Sequence, residues 1–149
     1  SMHPSLDRNG LLEEDGSTET SLKNARLLID AYGQPTSVRF VNEVRSKQGY
    51  TVIAKWKLEH SEFSHPFLGF SWGYGGEGPH GLVQFFEMAR IPDFPIEVIC
   101  KLPTIFDRVV YSEESITDKP SLRTIHRNPT SDIELPPEGS DLIRDTFGE

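Results

Sequence analysis

The segment from Phe70 to Leu82 contains the residues best suited to bind a ligand. It reads Phe-Ser-Trp-Gly-Tyr-Gly-Gly-Glu-Gly-Pro-His-Gly-Leu, with five glycines between Gly73 and Gly81. Glycine tolerates positive φ and lets a partner come close to the backbone. A helix that begins near Pro79 would point unpaired N–H groups and the positive end of its dipole at this loop. The pattern therefore predicts a loop that binds an anion, with Trp72 or Tyr74 stacked on a planar ring.

The expected ligand is a small phosphate-bearing or nucleotide-like molecule held by loop amides and a few polar side chains. His80, at the start of the predicted helix, could contact a bound anion. Arg39 and Lys57 fall on the outward faces of two predicted strands, where they could line a groove for phosphate or simply keep the sheet soluble. The predicted ligand-binding residues are Trp72, Tyr74, Gly75, Gly76, Gly78, His80, Arg39 and Lys57.

Other interpretations of this glycine-rich segment stay open. Gly73 to Gly78 match G-x-G-x-x-G by letter, but no Gly-Lys-Ser/Thr and no parallel βαβ pattern follows. The glycines could also form only a tight turn, with the two aromatic residues in the core. A hydrolase could use His80 and Glu77 as acid and base, although nothing in the sequence orients a base toward a nucleophile. The favoured interpretation is non-enzymatic binding without a cofactor.

The run Gly69-Phe70-x-Trp72-Gly73-Tyr74-Gly75-Gly76-x-Gly78-Pro79-x-x-Leu82, preceded by His65-Pro66, resembles the motif of an uncharacterised domain family of prokaryotic and phage proteins. The resemblance covers about 18 residues, and the run from Val98 to Pro103 fits the family loosely. The chain departs from the motif at Glu77 and at His80-Gly81. The family has no established activity. The resemblance implies at most a phage or mobile-element origin. Together with the small size, the absence of a catalytic set and the glycine loop, that origin suggests a cytoplasmic protein that sequesters a nucleotide-derived immune signal.

Two further groups of reactive side chains favour structural roles. His60, Glu62 and His65 have an H-x-E-x-x-H spacing that matches no zinc motif, and they are interpreted as part of a surface loop. Cys100 alternates with apolar residues and is interpreted as a small core residue of a strand. No metal site is therefore predicted.

Hydrophobic periodicity predicts the elements that carry the glycine-rich segment. Residues 18–32 are expected to form a helix with N-cap candidates at residues 17–20 and with Gly33 after its end, and residues 79–90 a second helix. Alternating residues predict strands near 38–42, 50–58, 66–72 and 96–102, with residues 105–111 left unassigned. The expected fold is α+β, a mixed or antiparallel sheet of about four strands with two helices packed on it.

Composition limits the remaining alternatives. The net charge is −8 and the basic residues form no cluster, which argues against general nucleic-acid binding. No apolar stretch is long enough for a membrane span, and a single cysteine favours a reducing, cytoplasmic setting. We expect a flexible segment at 1–17, one domain at 18–112 and a polar, Pro-rich tail at 113–149. The acidic ends and the apolar run at 142–147 suggest an alternative role, docking to a host or self partner, and a homo-oligomer is expected.

Overall fold

The computed structural model describes residues 10–114, which form a four-stranded antiparallel sheet with helices on one face. The strand order is β3-β2-β1-β4. The elements, in chain order, are α1 (Thr18–Tyr32), β1 (Ser37–Asn42), β2 (Thr51–Lys57), β3 (Glu62–Phe67), α2 (Glu77–Ala89), α3 (Ile96–Ile99) and β4 (Phe106–Ser112). The predicted α+β class, with four strands and two substantial helices, is confirmed.

The first helix has the bounds that its sequence signals predict. The Ser17 side chain accepts a hydrogen bond from the Thr20 amide, which caps the N-terminus. Gly33 ends the helix with φ 85°, and its amide donates to the Ile29 carbonyl. Ala25 and Leu28 are fully buried between the helix and the rest of the domain.

The sheet buries one face, as the alternation in β2 predicts. Val52, Ala54 and Trp56 are buried, whereas Lys55 and Lys57 alternate with them on the opposite face. β3 pairs with β2 at the edge of the sheet and begins earlier than expected, since residues 62–65 belong to the strand and residues 68–72 do not. Pro66 is tolerated there because an edge strand does not need every N–H group for pairing.

The strand predicted at 96–102 is wrong. Residues Ile96–Ile99 form α3, a single helical turn in which the Cys100 amide donates to the Ile96 carbonyl. Val98 and Ile99 are both buried, and two successive buried residues suit a short helix better than one face of a strand. The fourth strand is β4, from the segment that was left unassigned. Cys100 is consequently half-buried at the end of α3 and is no part of a strand.

Candidate ligand-binding cleft beside the glycine-rich segment

Trp72 belongs to the core, so its predicted role in stacking on a ligand is wrong. Its side chain is fully buried and its ring lies 4.7 Å from that of Phe40 in a stacked arrangement. The indole Nε1 donates to the Pro103 carbonyl at 2.9 Å, which satisfies the one polar atom that burial would otherwise leave unpaired. Tyr50 contacts the same indole edge-on at 4.8 Å. Trp72 therefore anchors the segment rather than facing a ligand.

Tyr74, in contrast, lies at the surface. Its side chain is 46% exposed, its hydroxyl is hydrogen bonded to Ser71 Oγ at 2.8 Å, and its ring lies 6.3 Å from that of Tyr50. The two tyrosines therefore present adjacent ring surfaces to one cleft. Burial raises the pKa of the Tyr50 phenol, and the neighbouring Tyr74 adds to this, so Tyr50 carries a neutral hydroxyl at neutral pH.

Most glycines of the segment are required by packing. Gly73 has φ 90°, and a Cβ there would lie 3.0 Å from the Leu102 carbonyl oxygen. A Cβ at Gly78 would overlap Ser71 Oγ, and one at Gly81 would overlap the Thr18 side chain. These contacts bring α2 close to the end of β3 and to α1.

Gly75 is different from these glycines. A Cβ at this position would meet no heavy atom within 4 Å, and its φ lies outside the region that disfavours side chains. The described residues give no steric reason for glycine there. A glycine in open space leaves room for another molecule to approach the backbone.

Four successive amides, those of residues 75–78, have no hydrogen-bond acceptor within residues 10–114. The first helical bond of α2 runs from the His80 amide to the Gly76 carbonyl, so the preceding amides are free by the geometry of a helix N-terminus. Gly76 caps the helix with φ 153° and supplies no side-chain acceptor. The amide of Gly73, by contrast, donates to the Ile99 carbonyl at 3.0 Å. The predicted donors at Gly75, Gly76 and Gly78 are thus unpaired.

A cleft of about 450 Å³ lies beside the start of α2, with Glu77 and Gly78 in its lining; Gly75 and Gly76 lie outside that lining. Tyr74, Glu77 and Gly78 form one side, and Gln48 to Tyr50, from the β1–β2 connection, contribute to another. The floor comes from residues 68–71, and Gly16 and Thr18 complete the rim. The cleft therefore joins the N-terminus of α2 with the surfaces of two tyrosines. Its volume falls in the range of sites for small organic ligands.

The segment that precedes α1 forms part of this cleft because Glu14 fixes it in place. Glu14 Oε1 accepts from Ser21 Oγ at 2.6 Å and from the Leu68 amide at 2.9 Å. Its Oε2 accepts from Asn24 Nδ2 at 2.9 Å and from His65 Nε2 at 2.8 Å. Residues 10–17 had been assigned to a flexible end, and here they lie on the domain. Residues 1–9, from the same predicted flexible segment, and residues 115–149, from the predicted tail, lie outside the described part.

Hydrogen bonding affects the pKa of Glu14 more than burial does. Burial raises the pKa of the carboxyl, but the bonds from His65, Ser21, Asn24 and the Leu68 amide together hold the pKa below its usual value of 4.5. The side chain is only 7% exposed. An ionised carboxylate with four donors is a stable clamp between the N-terminal segment, α1 and the end of β3.

The cationic part of the predicted site does not lie with the cleft. Arg39 and Lys57 lie on the sheet face opposite the buried side chains of β1 and β2, and so opposite the helices. Arg39 is already paired with Asp107, at 2.8 Å between Nε and Oδ1, which raises the pKa of the guanidinium. The described lining of the cleft contains no lysine or arginine, and Glu77 adds a carboxylate. A ligand with several negative charges would therefore meet net repulsion.

His80 and Glu77 lie one turn apart at the start of α2, but they form no catalytic arrangement. His80 Nδ1 donates to the Gly76 carbonyl at 2.8 Å. Within residues 10–114, neither side chain has a hydrogen bond to a serine, threonine or cysteine. His80 lies beside the groove between α1 and α2 rather than in the cleft.

His60, Glu62 and His65, which share an H-x-E-x-x-H spacing, do not converge in the structure. His65 is buried against Glu14, whereas His60 is exposed and lies next to Glu59. Glu62 faces the other side of β3 and approaches Lys55. Accordingly, no group of three potential metal ligands converges within the described part of the chain.

Comparisons with known proteins add no relative. No protein-family model matches the chain, and no curated protein or solved structure is significantly similar to it. None of the helices within residues 10–114 has the length and apolarity that crossing a bilayer requires. The resemblance of the glycine-rich segment to a prokaryotic and phage family stays a prediction from sequence.

Proposed function

We propose that this chain is a non-enzymatic binding protein that holds a small, flat molecule of low charge in the cleft beside Tyr50 and Tyr74. The observation that carries the proposal is the position of the cleft at the start of α2, where the amides of Glu77 and Gly78 line it and have no acceptor within residues 10–114. Such amides favour a carbonyl oxygen or a singly charged anion. The exposed face of Tyr74 offers a surface on which a ring can stack, a contact worth roughly 1–3 kcal/mol.

The ligand class proposed is a nucleotide-derived molecule with one negative charge. Its base would stack against the tyrosines and its single phosphodiester would accept from the amides of Glu77 and Gly78 at the start of α2. The absence of lysine and arginine from the described lining, together with Glu77, argues against multiply charged nucleotides. In keeping with the family resemblance, such binding would serve to sequester an immune signal in a phage-infected cell.

Isothermal titration with matched nucleotides tests this proposal. A 3′,5′-cyclic nucleotide carries one negative charge, and the 5′-monophosphate of the same base carries nearly two at neutral pH. We expect the cyclic form to bind more tightly, and Tyr74→Ala to weaken binding by roughly 10-fold or more through lost stacking. Arg39→Ala, on the opposite sheet face, is the control and leaves binding unchanged. Absence of binding by every cyclic and ADP-ribose-type nucleotide would refute the proposal.

A further inference from the structure

A second concave surface lies on the outside of the two long helices. This helix groove has a volume of about 870 Å³ and is lined by one stripe from each helix together with the chain before α1. Leu22 and Leu27 of α1, Met88 of α2 and Leu12 form its apolar part. Leu12 is 45% exposed, which is unusual for an aliphatic residue held in a fixed segment. The groove is distinct from the cleft, although Glu77 and Thr18 border both.

The rim of the helix groove carries two basic and two acidic side chains, Lys23, Arg26, Glu19 and Glu77. Lys23 is paired with Glu19 on the same helix at 3.4 Å. Arg26 is exposed and has no ion pair with any residue between 10 and 114. A complementary segment would therefore combine a few apolar side chains with a carboxylate that can pair with Arg26.

The C-terminal end of the chain has this chemistry. Residues 141–147 read Asp-Leu-Ile-Arg-Asp-Thr-Phe, with three large apolar residues between acidic ones. We propose that this segment binds the helix groove of its own domain, with Phe147 and Ile143 on the apolar floor. Asp141 or Asp145 would then pair with Arg26.

The point at which the described chain ends supports an intramolecular contact. The Glu113 amide donates to the Thr36 carbonyl, next to Gln34, whose side-chain amide donates to the Ala89 carbonyl at the end of α2. Met88, which lines the groove, immediately precedes Ala89. The described chain therefore ends two hydrogen-bonded contacts away from the C-terminal end of α2, the end at which Met88 lies.

The linker is long enough. The 27 residues from 115 to 141 can span up to about 90 Å when extended, several times the roughly 13 Å radius of gyration of a domain of this size. Because the segment is tethered, its effective concentration near the groove reaches the millimolar range, so modest apolar contacts are enough for occupancy.

Methionine methyl NMR on the full chain tests this contact directly. The chain has two methionines, so ¹³C-methyl labelling gives one signal from Met2 and one from Met88. We expect Phe147→Ala and Ile143→Ala each to shift the Met88 signal, since they remove the groups that contact it, and to leave the amide spectrum of the core unchanged. Ile133→Ala, another apolar truncation in the C-terminal region, is the matched control and leaves the Met88 methyl signal unshifted.

Three outcomes would overturn the inference. The first is an unchanged Met88 signal in both tail variants. The second is a Met88 signal that responds to Leu6→Ala but to neither tail variant, which would assign the groove to the N-terminal residues. The third is a shift that reverses on dilution, with a sedimentation coefficient that falls in parallel, because the segment would then bind a second copy.

Discussion

Glutamine at position 14 should destabilise the domain strongly, although it removes only one charge and no bulk. Glu14 accepts four hydrogen bonds, two at each carboxylate oxygen. In Glu14→Gln one oxygen becomes an NH₂ group that cannot accept. If the NH₂ group replaces Oε1, it faces the Leu68 amide, and if it replaces Oε2, it faces Asn24 Nδ2. In either case two hydrogen-bond donors face each other without an acceptor. Asn24 cannot turn to relieve this because its other atoms are bonded to the backbone of Leu12.

The magnitude follows from these contacts. One buried donor left without an acceptor costs about 1–3 kcal/mol, and the remaining bonds lose the strengthening that a charged acceptor gives, roughly 0.5–1 kcal/mol each. We expect a loss of about 2–5 kcal/mol in the free energy of unfolding. For a urea m-value of about 2 kcal/mol/M, the midpoint falls by roughly 1–2.5 M.

Urea denaturation followed by tryptophan fluorescence measures this change, since Trp56 and Trp72 are both buried. Glu13→Gln is the matched control, because Glu13 is exposed and makes no hydrogen bond with another described side chain. It should change stability by less than about 0.5 kcal/mol. Equal midpoints for the two variants would refute the claim that Glu14 clamps the N-terminal segment.

Further predictions concern pH, packing and charge. The stability difference between wild type and Glu14→Gln is present above pH 4.5 and shrinks as the pH falls through the lowered pKa of Glu14, because protonation removes the charge. Urea titrations over pH measure this difference. A difference that stays constant down to pH 3 would contradict the prediction. Gly78→Ala lowers the free energy of unfolding by about 1–3 kcal/mol because the added methyl group overlaps Ser71. Gly75→Ala leaves it unchanged or raises it by up to about 1 kcal/mol. Equal melting temperatures for the two variants would contradict the packing argument. Trp72→Phe lowers the free energy of unfolding by about 2–4 kcal/mol, since the Pro103 carbonyl loses its donor and a cavity remains. Calorimetric unfolding measures this loss. Glu77→Gln raises affinity for an anionic ligand roughly two- to fivefold by removing a like charge from the cleft lining, with Glu87→Gln as a control outside the lining in the same titration.

The sequence predicts those parts of the fold that depend on local signals. The caps and spacing of α1 and the alternation of β2 depend on neighbouring residues, so both elements lie where expected. Apolar and polar residues alternate in the segment at 96–102 as well as they do in β2. Pro95 at the N-cap and the burial of Val98 and Ile99 nevertheless favour a helical turn there. Periodicity over a few residues cannot distinguish these two cases.

The site was predictable only in part, for a similar reason. Glycine content marks the loop, and within residues 10–114 its amides at 75–78 have no acceptor. Whether an aromatic residue near a loop faces solvent or core depends on distant elements: Trp72 packs on Phe40, while Tyr74 stays exposed. Tyr50 and the Glu14 clamp were missed because their contacts are with residues remote in sequence, Tyr74 for Tyr50 and His65 and Leu68 for Glu14. A Glu followed at i+7 and i+10 by Ser and Asn was the only local signal for the clamp.

An amide ¹H–¹⁵N titration of the full chain with a 3′,5′-cyclic nucleotide tests the central claim most directly. We predict that the signals of Gly75, Gly76, Glu77 and Gly78 shift together as ligand is added, along with those of Tyr50 and Tyr74. Gly75→Ala should fold normally and weaken these shifts, because a methyl group there occupies the open space in front of the amides. Shifts confined to the opposite sheet face around Arg39, or a full set of shifts retained in Gly75→Ala, would contradict the account.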